Sequence, residues 1–414
     1  MYNLWFWVIV AILLFNYFLE RFLDHLNMRA WNPRLPEPLH GIYDEKEYER
    51  SQQYFLANLR FGRLTATFSL LLILVMLFTG AFARLDEWTG RVAPGEVLHT
   101  LLFFAVLGLA YDLLTLPFQW YDTFVIEERF GFNRMDKKTF FTDKLKSWFL
   151  AALFGGILLG ALVGFRQWAG KTFWLWAWGA FSLFSLFITI FYSSLIVPLF
   201  NKQTPLEEGP LKQKIRELCA RTGFRLDNVY VIDGSRRSSK ANAYFSGLGR
   251  KKRIVLYDTL LHDLTDEEIV AVLAHELGHY RKHHTHWMLL LSVLETGFLL
   301  WMLGLFLSDP AIPQALGGEG NSFRLGLLAY GLLISPVTLL LGLGTGVISR
   351  KNEFAADAFA EALGLARPLR NALIKLSEKN LSNLTPHPLY VFFHYSHPPL
   401  LQRLAALEKN EGKN

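Results

Sequence analysis

Residues 271–280 read A-V-L-A-H-E-L-G-H-Y, and the rest of the chain is organised around this stretch. On a helix, His275 and His279 leave the same face one turn apart. Two neutral imidazoles at that spacing can meet one Zn²⁺ at roughly 2.0–2.1 Å each. Glu276 points off the ligand axis, where it can take a proton from a metal-bound water without binding the metal. Upstream, Thr265 is placed as an N-cap, with Glu268 as its capping-box partner. A surface helix can carry the same five-residue pattern, so its meaning depends on what surrounds it.

The composition is that of a membrane protein. The chain has 414 residues, 52% of them hydrophobic and 15% aromatic, and a mean hydropathy of +0.23. That is too apolar for an ordinary soluble enzyme and suits a polytopic chain with a water-exposed part. The formal net charge is +6, which loops facing an anionic membrane surface explain more simply than nucleic-acid binding. Cys219 is the only cysteine, which excludes an internal disulfide and a cysteine-based zinc site. Any metal must use histidine and carboxylate. The first apolar segment lacks a basic leader and a small-residue cleavage site, and reads as a retained helix.

Seven apolar runs are long enough to cross a bilayer: Leu4–Phe22, Leu64–Ala83, Val97–Phe118, Trp148–Phe165, Phe173–Leu199, Trp287–Leu307 and Leu325–Ile348. The charge between them alternates. Residues 20–63 and 119–146 are rich in Lys and Arg, the long segment 200–286 is strongly basic, and 308–323 has neither residue. The positive-inside rule then puts the N-terminus outside and the segment carrying His275 on the cytoplasmic side. The expected division is 1–199 for the first five membrane helices, 200–286 for a soluble catalytic subdomain, 287–348 for the last two membrane helices and 349–414 for a cytoplasmic tail.

Within 200–286, Leu211–Thr222 reads as an amphipathic helix, and Val229–Ile232, Asn242–Phe245 and Arg253–Tyr257 as strands, the last two joined by a turn at Gly247–Lys251. The helix with His275 is expected to run straight on, through R-K-H-H-T-H, into the sixth run. After the seventh run, Ser349–Gly364 and Arg367–Lys379 read as helices.

A catalytic zinc site needs a third protein ligand and an open position. The best distal candidate is Glu353, in R-K-N-E-F-A-A-D. Asp357 lies one turn later on the same face, where it can accept the free N–H of a ligating histidine, and Arg350 lies one turn earlier, where it can orient a carboxylate. His283 is one turn past His279, too far along the axis for a third ligand; with His284 and His286 it reads as polar lining at the membrane entry. A third histidine ten residues after the first is excluded, because that position is Thr285. Asn242, Ala243 and Tyr244 suit a strand edge to which an extended peptide can pair, or an ordinary buried strand. His397, in S-H-P-P, can donate to the oxyanion of a tetrahedral intermediate, or simply cap a turn.

These stretches together resemble one family. E-R-F-G-F-N at Glu128–Asn133, P-L-F-N at Pro198–Asn201, N-A-Y-F-S-G at Asn242–Gly247, H-E-L-G-H at His275–His279, E-F-A-A-D at Glu353–Asp357 and S-H-P-P at Ser396–Pro399 run in the order of the type I CAAX prenyl endopeptidases, integral-membrane zinc metalloproteases of the gluzincin kind. The resemblance implies an α-helical polytopic membrane protein: seven helices around a water-filled chamber, with a small α+β zinc metalloprotease domain at its cytoplasmic end. It implies His275, His279 and Glu353 as Zn²⁺ ligands, and Glu276 as catalytic base and acid. Asn242 and His397 become substrate or transition-state contacts, and Arg350 and Asp357 supporting residues. The partners implied are membrane lipids and a peptide or protein substrate, lipidated or not, with no nucleic acid. Brief late loops suggest a bacterial inner membrane, the endoplasmic reticulum being the expectation for a eukaryotic chain. The competing readings are a quality-control protease of the HtpX type, a membrane chaperone with structural zinc, and a transporter using membrane charges such as Asp112.

Overall fold

The computed structural model describes residues 2–224, 229–246, 253–318 and 322–411. The first half is helical: α1 (Leu4–Arg29), α2 (Glu45–Thr79), α3 (Ala81–Val92), α4 (Glu96–Tyr121), α5 (Lys137–Leu150), α6 (Gly156–Ala169), α7 (Phe173–Phe191) and α8 (Val197–Phe200). Asp44 caps α2 by accepting from the backbone N–H groups of Lys46 and Glu47, and Asp136 caps α5 by accepting from that of Thr139. A small α+β unit follows: β1 (Gln203–Pro205), α9 (Pro210–Arg221), β2 (Val229–Ile232), β3 (Ala243–Ser246), β4 (Arg253–Tyr257), α10 (Asp258–Asp263) and α11 (Asp266–Arg281). The chain then gives α12 (His284–Phe306), α13 (Ala311–Ala315), α14 (Phe323–Leu333), α15 (Ser335–Ala362), α16 (Ala366–Lys379), α17 (Pro388–His394) and α18 (Leu400–Glu411). The expected turn at Gly247–Lys251 lies outside the described residues.

Among the described residues, five helical segments are long and apolar enough to cross a membrane, or six if the bent pair α14–α15 is one span. This differs from the seven runs in two places. The fourth and fifth runs fall in a single 64-residue segment, Lys137–Phe200. At 1.5 Å per residue it would extend roughly 96 Å if straight, about three bilayer cores. It is not straight: the backbone turns at Gly170, at a φ of 54° that glycine tolerates, and the flanking α6 and α7 pack against each other through Leu162, Val163, Phe173 and Ala177. The seventh run is also not separate from the helix expected at Ser349–Gly364. Its second half, from Ser335, continues into that helix as α15, while its first half lies in α14, with a 48° bend between the two.

Polar pins join the membrane helices. Trp178 Nε1 donates to the Val293 carbonyl at 2.7 Å, tying α7 to α12, and Tyr330 donates to the Leu299 carbonyl at 2.6 Å, tying α14 to α12. Asp112 is held by Lys144 at 2.8 and 3.0 Å, by Trp148 at 2.8 Å and by Gln119 at 3.0 Å. A carboxylate paired this fully serves as a structural tie between α4 and α5, which removes the main support for a transporter.

In the α+β unit the strand order is β1-β2-β4-β3, with β2 and β4 parallel and the outer pairs antiparallel. The central strands are buried through Val229, Ile232, Ile254, Val255 and Leu256, and β3 is left at an edge. The E-R-F-G-F-N segment is stitched to the chain leading into β3. Ser239 N donates to the Phe132 carbonyl at 3.1 Å, and Arg134 N to that of Arg237 at 3.1 Å. Lys240 Nζ bridges Glu127 and Tyr54 of α2, at 3.0 Å each.

Helix α11 is the centre of this unit. Thr265 and Glu268 form the reciprocal capping box, and three acidic residues occupy the first turn, where the helix dipole favours them. Ile269 to Ala274 and Leu277 are buried among α9, α15 and α16. At Gly278 a Cβ would lie 2.9 Å from the Cα of Ala356, so only glycine permits this approach of α15. The helix does not run straight into the next span. It ends at Arg281, and His283 adopts a left-handed φ of 58° before α12 begins.

Candidate metal centre and cavity

The approach of α15 to α11 brings together three side chains from distant parts of the chain. His275 Nε2 and His279 Nε2 are 3.2 Å apart; Glu353 Oε2 is 3.4 Å from the first, and Glu353 Oε1 is 3.2 Å from the second. Among the described residues these three form the group of His, Cys, Asp or Glu side chains close enough to hold a metal ion. Tetrahedral ligands around zinc at its usual bond lengths are separated by roughly 3.3–3.4 Å, so the triangle has the right size. Glu353 Oε2 is buried without a hydrogen-bond partner, a deficit that a cation between the three residues would remove. The donor set, two imidazoles and a carboxylate, suits zinc and leaves a tetrahedral position for solvent.

A second ring of contacts fixes the imidazoles. His275 Nδ1 faces Asp357 Oδ1 at 2.8 Å. Asp357 in turn accepts from Arg403, Nε at 2.9 Å and Nη2 at 2.6 Å, with Arg403 Nη1 3.7 Å from Glu353. Both Asp357 and Arg403 are buried. Burial opposes the charge on His275, but the bonds to Asp357 and Glu353 outweigh it and push the ring up to about 9. Burial likewise opposes the Arg403 charge, and Asp357 more than restores it.

Glu276 and Tyr244 wall an open cavity of about 700 Å³, together with His279, Glu353 and His397. Burial raises the Glu276 carboxyl above its ordinary range, which suits a group that must accept and release a proton. His397 Nε2 stands 3.3 Å from Glu353 Oε1, and Ser396 Oγ faces its Nδ1 at 2.9 Å. Burial lowers the His397 ring below its usual value. Tyr192 and Tyr244 also wall an adjoining cavity of about 330 Å³ with Ile196, Phe200 and Tyr257. A hollow of about 870 Å³ between Arg50, Arg134, Asp258 and Lys379 contains none of these groups.

The other expected residues fall as follows. Asn242 is exposed, with Oδ1 accepting from the Ala243 N–H at 2.8 Å; it and Ala243 lie beside the cavity wall formed by Tyr244, outside the lining itself. Arg350 does not meet a site carboxylate. Its Nη1 donates to the Tyr395 carbonyl at 2.5 Å, at the end of α17, which packs on α15, and so it braces the turn that presents His397. The arginine at the carboxylates is Arg403, in α18 just after S-H-P-P. Gly278 was visible within H-E-L-G-H, but its close approach to Ala356 left no local signal.

Comparison with known proteins shows the family. The profile described as "CAAX prenyl protease N-terminal, five membrane helices" matches residues 24–202, and that of "Peptidase family M48" matches residues 205–411. The "CAAX prenyl protease 1 homolog" of Arabidopsis thaliana is 36% identical over 414 residues, covering 98% of each chain. "CAAX prenyl protease 1" of Saccharomyces cerevisiae is 36% identical, covering 91% of this chain and 88% of that protein. The crystal structure of S. mikatae Ste24p superposes with a TM-score of 0.92 at 33% identity, over 98% of this chain and 99% of that one. The plant relative matches end to end, so short loops do not set this chain apart from eukaryotic relatives.

Proposed function

The chain belongs to peptidase family M48 and is a membrane metalloendopeptidase; from that premise we propose a zinc enzyme that cleaves prenylated peptides close to the cytoplasmic membrane surface. The observation that carries the reading is the 3.2, 3.2 and 3.4 Å triangle of His275, His279 and Glu353 beside Glu276 in an open cavity. His275, His279 and Glu353 would hold the ion, which supplies a Lewis acid and a water of lowered pKa. Glu276 takes the proton of the attacking water and returns it to the leaving amine. His397 faces the oxygen on which negative charge develops. Asn242, Ala243 and Tyr244 offer an edge along which the peptide backbone lies extended.

We also read Lys137–Phe200 as two spans hinged at Gly170, which with the bent pair α14–α15 makes seven. The alternating loop charge then sets the N-terminus outside. The prenyl specificity rests on the names of the relatives, CAAX prenyl proteases of plants and yeast.

The test uses the full-length protein in lipid nanodiscs with a farnesylated peptide and its unfarnesylated twin. The proposal expects cleavage of the farnesylated peptide that a chelator abolishes and Zn²⁺ restores. Equal turnover of both peptides would favour the quality-control reading, and metal retention without cleavage the chaperone reading.

A further inference from the structure

We propose that His284 is a positioning residue for the metal centre: it accepts the Nδ1–H of His279 and thereby turns His279 Nε2 toward the ion. The inference rests on the ligand set proposed above.

Each ligating imidazole has a second ring nitrogen whose partner fixes the tautomer and the ring orientation. For His275 that partner is Asp357. For His279 it is His284, whose Nδ1 lies 3.0 Å from His279 Nδ1, with the rings 5.1 Å apart and inclined by 71°. Only one of two nitrogens at that distance can carry the shared hydrogen. His279 Nε2 faces His275 and Glu353 and must be bare to bind a cation. A neutral imidazole bare at Nε2 holds its hydrogen on Nδ1. His279 is therefore the donor and His284 the acceptor, with the hydrogen of His284 on its own Nε2.

The backbone is bent to make this contact. On an uninterrupted helix a residue five positions after His279 would point about 140° away from it. Lys282 and His283 close α11 by donating to the carbonyls of Gly278 and Tyr280, at 3.0 Å each, and His283 then takes its left-handed conformation. Non-glycine residues adopt that conformation uncommonly. Here it swings His284, the first residue of α12, back over His279. The first ligand is thus oriented by an acid from α15, and the second by an imidazole at the mouth of a membrane span.

Three variants of the full-length protein test the assignment: His284→Asn, whose Oδ1 replaces the acceptor; His284→Leu, which fills the space without one; and His279→Ala. The readouts are zinc content after purification and the rate at which a chelator strips it. His284→Leu should weaken zinc binding by about 10–100-fold, while His284→Asn stays close to the wild type. Wild-type retention in His284→Leu, or equal loss in both His284 variants, overturns the proposal. Stripped of zinc, His284→Leu should unfold within about 2 °C of the stripped wild type; a larger drop assigns the loss to packing and also overturns it. If His279→Ala keeps its zinc, it is the ligand assignment that fails, and the positioning role with it.

Discussion

Gly278 and Ala356 meet backbone to backbone, so closely that a methyl group on the first would sit 2.9 Å from the Cα and 3.1 Å from the carbonyl oxygen of the second. This contact sets the distance between the helix carrying both histidines and the helix carrying Glu353. Alanine ordinarily stabilises a helix interior relative to glycine by about 1 kcal/mol. Here the overpacking should win, so Gly278→Ala is expected to destabilise by about 1–3 kcal/mol and to loosen the metal. Thermal unfolding and zinc content measure both effects. A variant that melts higher with full zinc would show that the helices have room to spare.

Glu276→Gln should keep its zinc and lose about 10²–10⁴-fold in turnover, because the amide cannot take a proton. Glu353→Ala should show the opposite order, losing metal first and activity as a consequence. Turnover near the wild-type rate in the glutamine variant would defeat the mechanism; full zinc in the alanine variant would point to another ligand.

Asp357 and Arg403 are both buried, so removing either strands the other. Arg403→Met should cost about 3–5 kcal/mol of stability, and Arg403→Lys should recover only part of it, since an ammonium lacks the planar fork that places separate N–H donors on each oxygen. Chemical unfolding of the three proteins in one detergent gives the comparison.

The pH dependence of metal uptake follows from His275. In the metal-free protein its ring is raised to about 9, so below that pH zinc must displace a proton. Apparent affinity should climb about tenfold per pH unit toward 9 and then level off. The same shift stabilises the metal-free protein fully below the unfolded value of about 6.5, and that contribution is lost as pH rises through about 9. Chelator competition between pH 7 and 10 measures the uptake, and a flat curve would contradict it.

Arg350 holds the Tyr395 carbonyl two residues before His397. Arg350→Met should therefore lower turnover about tenfold or more while leaving zinc content intact. Loss of zinc instead would place Arg350 among the groups that hold the ion.

What the sequence reveals follows range. The capping box at Thr265 and Glu268 and the strands Val229–Ile232 and Arg253–Tyr257 are local patterns, and the structure has them at those bounds. The continuity of α15 past Ile348 and the left-handed His283 are invisible to a hydropathy window, because the helix runs on where the apolar residues stop and a single dihedral decides the other. The partner of Arg350 was misplaced because spacing along one helix says nothing about a second segment packed against it. Arg403 reaches Asp357 across 46 residues, and no local pattern encodes such a pairing.

The order in which these pieces are synthesised has a consequence. Asp357 follows His275 by 82 residues and Arg403 follows it by 128. At about 5–20 residues per second, a ribosome needs roughly 6–26 seconds to cover the longer interval. For the first part of that time the nascent polypeptide carries two histidines without the carboxylate, and for all of it without the guanidinium clamp. The cutting machinery therefore stays incomplete until nearly all the hydrophobic segments have entered the bilayer, and a half-made copy is harmless to its neighbours.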